Sequence, residues 1–212
     1  VAIDCEGVPD HLHLVQVATR SLTMVFDCVE LGADVVCDAL RELLENPDVI
    51  KLFHDLHMDT VALAEFGAVE QLRGALDTQL AMESLTGELH MGFNQMLARL
   101  DLPGHSTKTS MKATMQASRR QVGTSLFAQR PLPSNVLHYA ADDVSLLVDA
   151  QDKLAEVSGP EAWASVQRAS DARAFAAQKT HGARQICFDV ANDYAIASLE
   201  LLHEQRPGDM VA

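Results

Sequence analysis

The sequence predicts an α/β fold in which a mixed β-sheet is flanked by α-helices. Three apolar runs of strand length open the chain, an amphipathic helix then leads to a fourth strand, and the later pattern is almost wholly helical. With 212 residues, of which 48% are hydrophobic, the chain is long enough to bury one sizeable core. Strands followed by helices on this scale are typical of one compact α/β unit.

The first four strands are predicted from their apolar runs and from the short turns between them. The first three cover Val1 to Asp4, His13 to Ala18 and Leu22 to Asp27, and we expect them to be antiparallel neighbours. A helix with apolar residues at helical spacing covers Asp34 to Asn46, and the strand from Val49 to Phe53 follows it.

Shorter elements alternate in the middle of the chain. A helix from Met58 to Phe66 ends at Gly67, and a strand from Ala75 to Asp77 leads directly into a helix from Thr78 to Leu85.

Helical patterns dominate the rest of the sequence. Ser134 is the predicted N-cap of the longest helix, since Pro131 and Pro133 lie just upstream. Gln185 to Asp189 has the pattern of a last strand or of a helix start. The predicted helices are Phe93 to Leu100, Ser110 to Arg119, Ser134 to Val157 and Pro160 to Lys179.

Charge is distributed unevenly along the chain. The net charge of −14 argues against a surface that binds polyanions everywhere, because nucleic-acid binding normally uses Lys and Arg. From Leu102 to Ala141, however, there is no Asp or Glu. This basic strip predicts one polyanion-binding face on an acidic body, with a chance run of neutral residues as the alternative. Its basic residues are Lys108, Lys112, Arg119, Arg120 and Arg130.

Two acidic residues lie at the end of the first predicted strand. Asp4 and Glu6 are two residues apart, so both side chains project from the same face. Carboxylates this close raise each other's pKa unless a cation neutralises them. Mg²⁺ or Mn²⁺ is the natural partner, because hard divalent ions prefer oxygen ligands. By itself, the same pair is also typical of an ordinary strand end that turns into a loop.

A second acidic site follows the fourth strand. Asp59, at the start of the next helix, is placed to face the two strand-end carboxylates, whereas Asp55 could equally be the N-terminal cap of that helix. His54 and His57 allow a zinc interpretation. Without cysteine ligands or a His-Glu-x-x-His motif, packing or hydrogen bonding is the favoured role for both.

The third site lies on the longest predicted helix. Tyr139 and Asp143 are four residues apart and therefore share one face of that helix. A phenol and a carboxylate one turn apart can address the same small space. A packed Tyr beside a solvated acidic pair is the alternative.

Taken in order, these motifs resemble the DEDDy subgroup of the DnaQ-like 3′-5′ exonucleases, in particular the ribonuclease D-like branch with its ribonuclease H-like fold. The resemblance runs from Val1 to about Ala150. Members often carry Trp three residues before the Arg-Pro-Leu signature, where this chain has Phe127. The matching motifs are Asp4-x-Glu6, Lys51-x-x-His54-x-x-x-x-Asp59, Leu76-Asp77-Thr78-Gln79-Leu80-Ala81, Arg130-Pro131-Leu132-Pro133 and Tyr139-x-x-x-Asp143.

The resemblance implies an exonuclease domain over residues 1–157 and a C-terminal helical extension of unknown role over 158–212. It implies two Mg²⁺ or Mn²⁺ ions, one held by Asp4, Glu6 and Asp143 and the other by Asp4 and Asp59. Tyr139 would orient or deprotonate the attacking water, and the product would be a nucleoside 5′-monophosphate.

The implied substrate is the 3′ end of single-stranded RNA or DNA, with RNA favoured. We expect the basic residues of the strip to contact its backbone. No second nucleic-acid-binding domain is evident, so a missing domain or a protein partner is expected to help capture the substrate.

The remaining expectations concern the protein as a whole. The four cysteines lie far apart without a Cys-x-x-Cys pair, which favours buried thiols over a zinc site or disulfides. No stretch approaches the roughly 18 to 20 apolar residues of a membrane span. We therefore expect a soluble, intracellular domain cut from a longer protein.

Two other functions are alternatives to the exonuclease. The first is a catalytically silent RNA-binding or scaffold domain with the same fold, which the acidic net charge favours and the retained acids disfavour. The second is a phosphatase of the haloacid dehalogenase type, which uses an Asp-x-Asp pair where this chain has Asp4-Cys5-Glu6.

Overall fold

The computed structural model describes residues 1–7, 11–67, 69–104, 110, 113–114, 117 and 125–179. Most of the predicted helix from Ser110 to Arg119 lies outside the described residues, as does the segment from Gln185 to Asp189. Among the described helices, none has both the length and the apolar character needed to cross a membrane.

A five-stranded mixed sheet forms the centre, in the order β3-β2-β1-β4-β5. β1 (Ala2–Glu6) is antiparallel to β2 (Leu14–Ala18), which is antiparallel to β3 (Thr23–Asp27). On its other side β1 is parallel to β4 (Lys51–Phe53), and β4 is parallel to β5 (Ala75–Asp77). The predicted mixed sheet is confirmed. Because parallel strands end at one edge, the carboxyl ends of β1, β4 and β5 converge there.

Three helices cover one face of the sheet. α1 (Cys28–Leu31) was not predicted and begins where the Asp27 carboxylate accepts hydrogen bonds from the N–H groups of the first turn. α2 (Ala33–Glu45) and α3 (His57–Gly67) pack on each other and join one apolar cluster with β1, β2 and β4. The amphipathic pattern of the sequence therefore predicted the main helix of this face.

The opposite face is covered by α4 (Thr78–Thr86), α5 (Phe93–Arg99) and the long α6 (Ser134–Ser158). A short 3₁₀ turn, Leu126–Ala128, precedes α6. α6 crosses β1, β2 and β3, and its apolar side chains join a second cluster with α4 and α5. This arrangement places one face of α6 over the strand that carries Asp4 and Glu6.

The predicted N-cap of α6 is wrong by one residue. Ser134 is the first helical residue, Pro133 occupies the capping position, and no side chain caps the helix there. The ring of Pro133 fixes φ, which is −59° here with a ψ of 138°, so the last non-helical residue before α6 is the proline and not Ser134.

α7 (Pro160–Lys179) covers the open edge of the sheet at β5. The outward N–H of Ala75 donates to Asp171 Oδ1 at 2.8 Å, and that of Asp77 donates to Ser170 Oγ at 2.9 Å. Small apolar residues of α7 join both core clusters. α7 therefore satisfies the exposed donors of an edge strand, which would otherwise invite pairing with another chain.

A close approach of α3 to α2 gives a test of the packing. A Cβ at Gly67 would lie 2.2 Å from Cys37 Sγ. We expect Gly67→Ala to lower the free energy of unfolding, measured in urea, by about 1–3 kcal/mol through overpacking. Gly92→Ala is the control, because its φ of −72° suits any residue and its nearest neighbour lies 3.6 Å away. Equal losses in the two variants would contradict the close packing.

Candidate active site

Three carboxylates meet between β1 and α6. Asp4 and Glu6 project from one face of β1, and Asp143 projects from α6 toward them. One carboxylate oxygen from each lies within 4.8 Å of the others, and all three side chains are partly exposed. The two-residue spacing on a strand and the packing of α6 on that strand create this cluster.

Asp59 lies behind these three carboxylates, in the first turn of α3. It is only 6% exposed, and its carboxylate accepts a hydrogen bond from the N–H of Cys5, the residue between Asp4 and Glu6. Burial raises the pKa of Asp59 well above its usual range, and the negative charge of Asp4 raises it further. Asp59 therefore adjoins the same end of β1.

The donor set fits a hard divalent cation. The cluster offers carboxylate oxygens, which Mg²⁺ and Mn²⁺ prefer, and its like charges repel each other at this separation. A bound cation would relieve that repulsion. The residues present therefore match the metal that the sequence motifs imply.

A buried amide beside the cluster also fits a hydrated ion. Gln16 lies opposite Asp4 in the register of β1 and β2, so the two side chains share a face of the sheet. Gln16 is fully buried, and among the described atoms neither its Nε2 nor its Oε1 has a hydrogen-bond partner. Buried amides are normally satisfied by protein or by ordered water. This amide is suited to water molecules held by an ion at Asp4.

Tyr139 is a second group that α6 directs toward the cluster. Burial raises the pKa of its phenol, and the negative charges of Asp143, Glu6 and Asp4 raise it further, in that order. Its ring centroid lies 6.5 Å from that of Phe127. Tyr139 is therefore a neutral hydrogen-bonding group beside the carboxylates.

The loop between β4 and α3 is held by hydrogen bonds from several elements. Both ring nitrogens of His54 are engaged, Nδ1 with Thr78 Oγ1 at 3.0 Å and Nε2 with the Met91 carbonyl at 2.9 Å. Burial lowers the pKa of His54. The Asp55 carboxylate accepts from Arg173 rather than capping α3. These contacts match the hydrogen-bonding role predicted for His54.

The basic strip is described only in small part. Lys108, Lys112, Arg119 and Arg120 lie outside the described residues. The guanidinium of Arg130 pairs with Asp27 and donates to the carbonyl oxygens of Phe127 and Gln129 at 2.8 and 2.6 Å. Arg130 thus ties the segment before α6 to the end of β3, and its predicted contact with nucleic acid stays a prediction.

Two polar residues near this site were not among those predicted from the sequence. Gln16 is a polar residue inside the apolar run from His13 to Ala18, and that position was the available signal. Arg173 lies in an Ala-rich helix and has no local pattern that distinguishes it from a solvated arginine. Only the packing of α7 brings it to the β4–α3 loop.

Comparison with known proteins gives matches of family and of fold. A family model described as 3′-5′ exonuclease matches residues 1–158. Human exosome complex component 10 is 29% identical over 143 residues, which are 66% of this chain and 14% of that protein. The chain therefore spans a small part of the curated relative that it matches.

Solved structures show the same fold at lower identity. RNase D from Trypanosoma brucei, solved as a complex with GMP, matches with a TM-score of 0.68 and 22% identity, covering 85% of this chain and 57% of that one. RNase D from Escherichia coli, described as an exoribonuclease involved in structured RNA processing, matches with a TM-score of 0.57 and 17% identity, covering 100% of this chain and 71% of that one.

Neutralising one carboxylate should have opposite effects with and without a divalent cation. In EDTA, we expect Asp4→Asn to raise the free energy of unfolding, because it removes repulsion within the cluster. Saturating Mn²⁺ should stabilise the unaltered protein, by about 2.7 kcal/mol at a hundred times its dissociation constant, and stabilise Asp4→Asn far less.

Thermal unfolding with Mn²⁺ and with EDTA measures both effects. Asp149→Asn, which neutralises an exposed carboxylate on the same helix as Asp143, is the matched control and should respond to Mn²⁺ as the unaltered protein does. The same Mn²⁺ response in Asp4→Asn would contradict a cation site at Asp4.

Proposed function

Because the chain belongs to the 3′-5′ exonuclease family, we propose that it removes nucleotides one at a time from the 3′ end of single-stranded nucleic acid, with RNA favoured over DNA. The observation that carries the proposal is the meeting of Asp4, Glu6 and Asp143 within 4.8 Å. Asp59, which contacts the same strand from the opposite side, supports it. Water cleaves the terminal phosphodiester, and a nucleoside 5′-monophosphate leaves.

The relatives support RNA as the substrate class. Escherichia coli RNase D is described as an exoribonuclease, and the human relative is a component of the exosome complex. The Trypanosoma brucei enzyme was solved with GMP, a nucleoside 5′-monophosphate of the kind expected as product. Capture of longer substrates is proposed to involve a further domain or a protein partner.

Two Mg²⁺ or Mn²⁺ ions are proposed to bind at the cluster. Asp4, Glu6 and Asp143 would hold one, and Asp4 and Asp59 would hold the other. When bound, such ions stabilise the attacking and leaving oxygens of an in-line displacement and lower the pKa of bound water. The four carboxylates would then hold the positive charge of the ions at a fixed place. That charge would neutralise the negative charge of the substrate phosphate.

Tyr139 is proposed to orient the attacking water. Its raised pKa keeps the phenol protonated near neutral pH, so it acts through hydrogen bonds rather than as a strong base. Asp143 lies one turn further along α6. The phenol can thus hold water close to a carboxylate that also holds metal.

Digestion of 5′-labelled single-stranded RNA and DNA tests the proposal. With Mg²⁺ or Mn²⁺ we expect a descending ladder, and none with EDTA or with Asp4→Ala. Tyr139→Phe keeps the ring and removes the hydroxyl that orients the attacking water, so we expect the rate to fall by about 10²-fold. Asp149→Asn is the control and should degrade RNA at the unaltered rate. Folded protein that binds Mn²⁺ but degrades neither substrate would indicate a scaffold domain instead.

The salt dependence of substrate affinity tests the basic strip. We expect Arg119→Glu with Arg120→Glu to weaken RNA binding and to reduce the slope of log affinity against log salt by about 0.7 for each lost phosphate contact. Arg41→Glu, on α2 and on the opposite face of the sheet from α6, is the control. Unchanged affinity in the double variant would remove these two arginines from the interface.

A further inference from the structure

Arg173 on α7 is a buried cation outside the segment that the exonuclease family model matches. Its side chain is only 2% exposed. One end of the guanidinium, Nη1, donates to Asp77 Oδ2 at 2.6 Å, and the other, Nη2, donates to Asp55 Oδ1 at 2.7 Å. A planar guanidinium suits this bridge because its donors have a fixed, forked geometry.

The two carboxylates that Arg173 joins define the start of α3. Asp77, at the end of β5, is fully buried and accepts from the N–H groups of Asp55 and Leu56 at 2.9 and 3.1 Å. Asp55 has a φ of +63°, a left-handed conformation that a non-glycine residue seldom adopts without support. The backbone between β4 and α3 is thus clamped from two sides by one ion-pair network.

This clamp leads directly to the candidate metal site. The Thr60 N–H donates to the Leu56 carbonyl at 2.9 Å, so the clamped residue Leu56 also begins the hydrogen bonding of α3. Asp59 lies in this same turn, with its carboxylate against the Cys5 N–H of β1. A shift at the start of α3 would therefore move Asp59 relative to Asp4.

We propose that Arg173 is a positioning residue for Asp59, so that α7 is a working part of the metal site although it lies beyond the matched residues 1–158. The inference rests on the proposed function, because it assigns Asp59 to a metal ion. Arg173 acts through Asp55, Asp77 and the first turn of α3.

The direction in which a substitution of Arg173 changes Mn²⁺ affinity shows whether Arg173 acts by positioning Asp59 or only through its charge. By charge alone, removing a cation near an acidic site strengthens the binding of Mn²⁺. Loss of a residue that orients a metal ligand instead weakens metal binding, typically by about 10–100-fold. Positioning and charge therefore predict opposite changes for Arg173→Met.

Mn²⁺ titration of the full chain without nucleic acid, followed by electron paramagnetic resonance, gives the measurement. We expect Arg173→Met to weaken Mn²⁺ binding by about 10-fold or more. Because this variant leaves Asp77 buried without its ion-pair partner and is at risk of misfolding, Arg173→Lys is the second variant. Lysine keeps the charge but cannot bridge both carboxylates in the same way, so a smaller loss of several-fold is expected.

Gln178→Leu is the matched control for the docking of α7. Gln178 joins α7 to the Leu72 N–H and the Val69 carbonyl by hydrogen bonds, away from the β4–α3 loop. The Gln178→Leu variant should have a lower thermal stability but an unchanged affinity for Mn²⁺. An unchanged or stronger Mn²⁺ affinity in folded Arg173→Lys, or equal losses in Arg173→Lys and Gln178→Leu, would overturn the positioning role.

A second measurement keeps this inference separate from the proposed function. The RNA degradation rate of Arg173→Lys, measured against Mn²⁺ concentration, should need more Mn²⁺ to reach half its maximum, and excess metal should restore much of the rate. If the unaltered protein neither binds Mn²⁺ nor degrades RNA, the proposed function fails. If it does both and Arg173→Lys matches it at every Mn²⁺ concentration, only the role of Arg173 fails.

Discussion

The fully buried carboxylate of Asp77 joins the segments that surround the candidate active site. Its oxygens accept hydrogen bonds from the N–H groups of Asp55, Leu56 and Gln79. They also accept one from the guanidinium of Arg173. A buried charge without such partners is strongly destabilising, by about 3–5 kcal/mol when one partner of a buried pair is removed. The end of β5, the start of α3, the start of α4 and the middle of α7 are therefore fixed relative to each other. The geometry of the candidate active site depends on this network.

The candidate active site concentrates negative charge, and the repulsion between its carboxylates opposes folding. Asp4, Glu6 and Asp143 meet within 4.8 Å, and the pKa of Asp59 is raised by burial and by the charge of Asp4. Carboxylates this close repel each other, and a bound divalent cation removes that repulsion. Its removal makes the free energy of cation binding more favourable. The amide of Gln16 adds a buried polar group of the kind that bound water satisfies. The cluster is thus better matched to a metal-loaded state than to an empty one.

Strands and helices whose apolar residues recur with a clear period were predictable from the sequence. Elements that depend on other contacts were not. The strands, the main amphipathic helix and the long helix α6 lie close to their predicted ranges, because burial of one face imposes a period of two or 3.6 on the sequence. α1 was missed because its four residues are too few to show a period, and it depends on the Asp27 cap. The N-cap of α6 was misplaced by one residue because a fixed proline conformation replaced a capping side chain.

The apolar pattern and the motifs of the sequence were enough to predict the fold class, the family and the placement of Asp4 and Glu6 on one face of a strand. These features depend on residues that are close in the chain, where the backbone repeat fixes side-chain direction. The family resemblance implied that Asp143 meets those carboxylates, and the packing of α6 on β1 brings it there. The pairing of Arg130 with Asp27 and the contact of Arg173 with the loop before Asp59 were visible only in the folded protein. The last two contacts join residues about a hundred positions apart, and 96 residues separate Arg173 from Asp77. No local period records such pairs, because they form only when helices pack on the sheet.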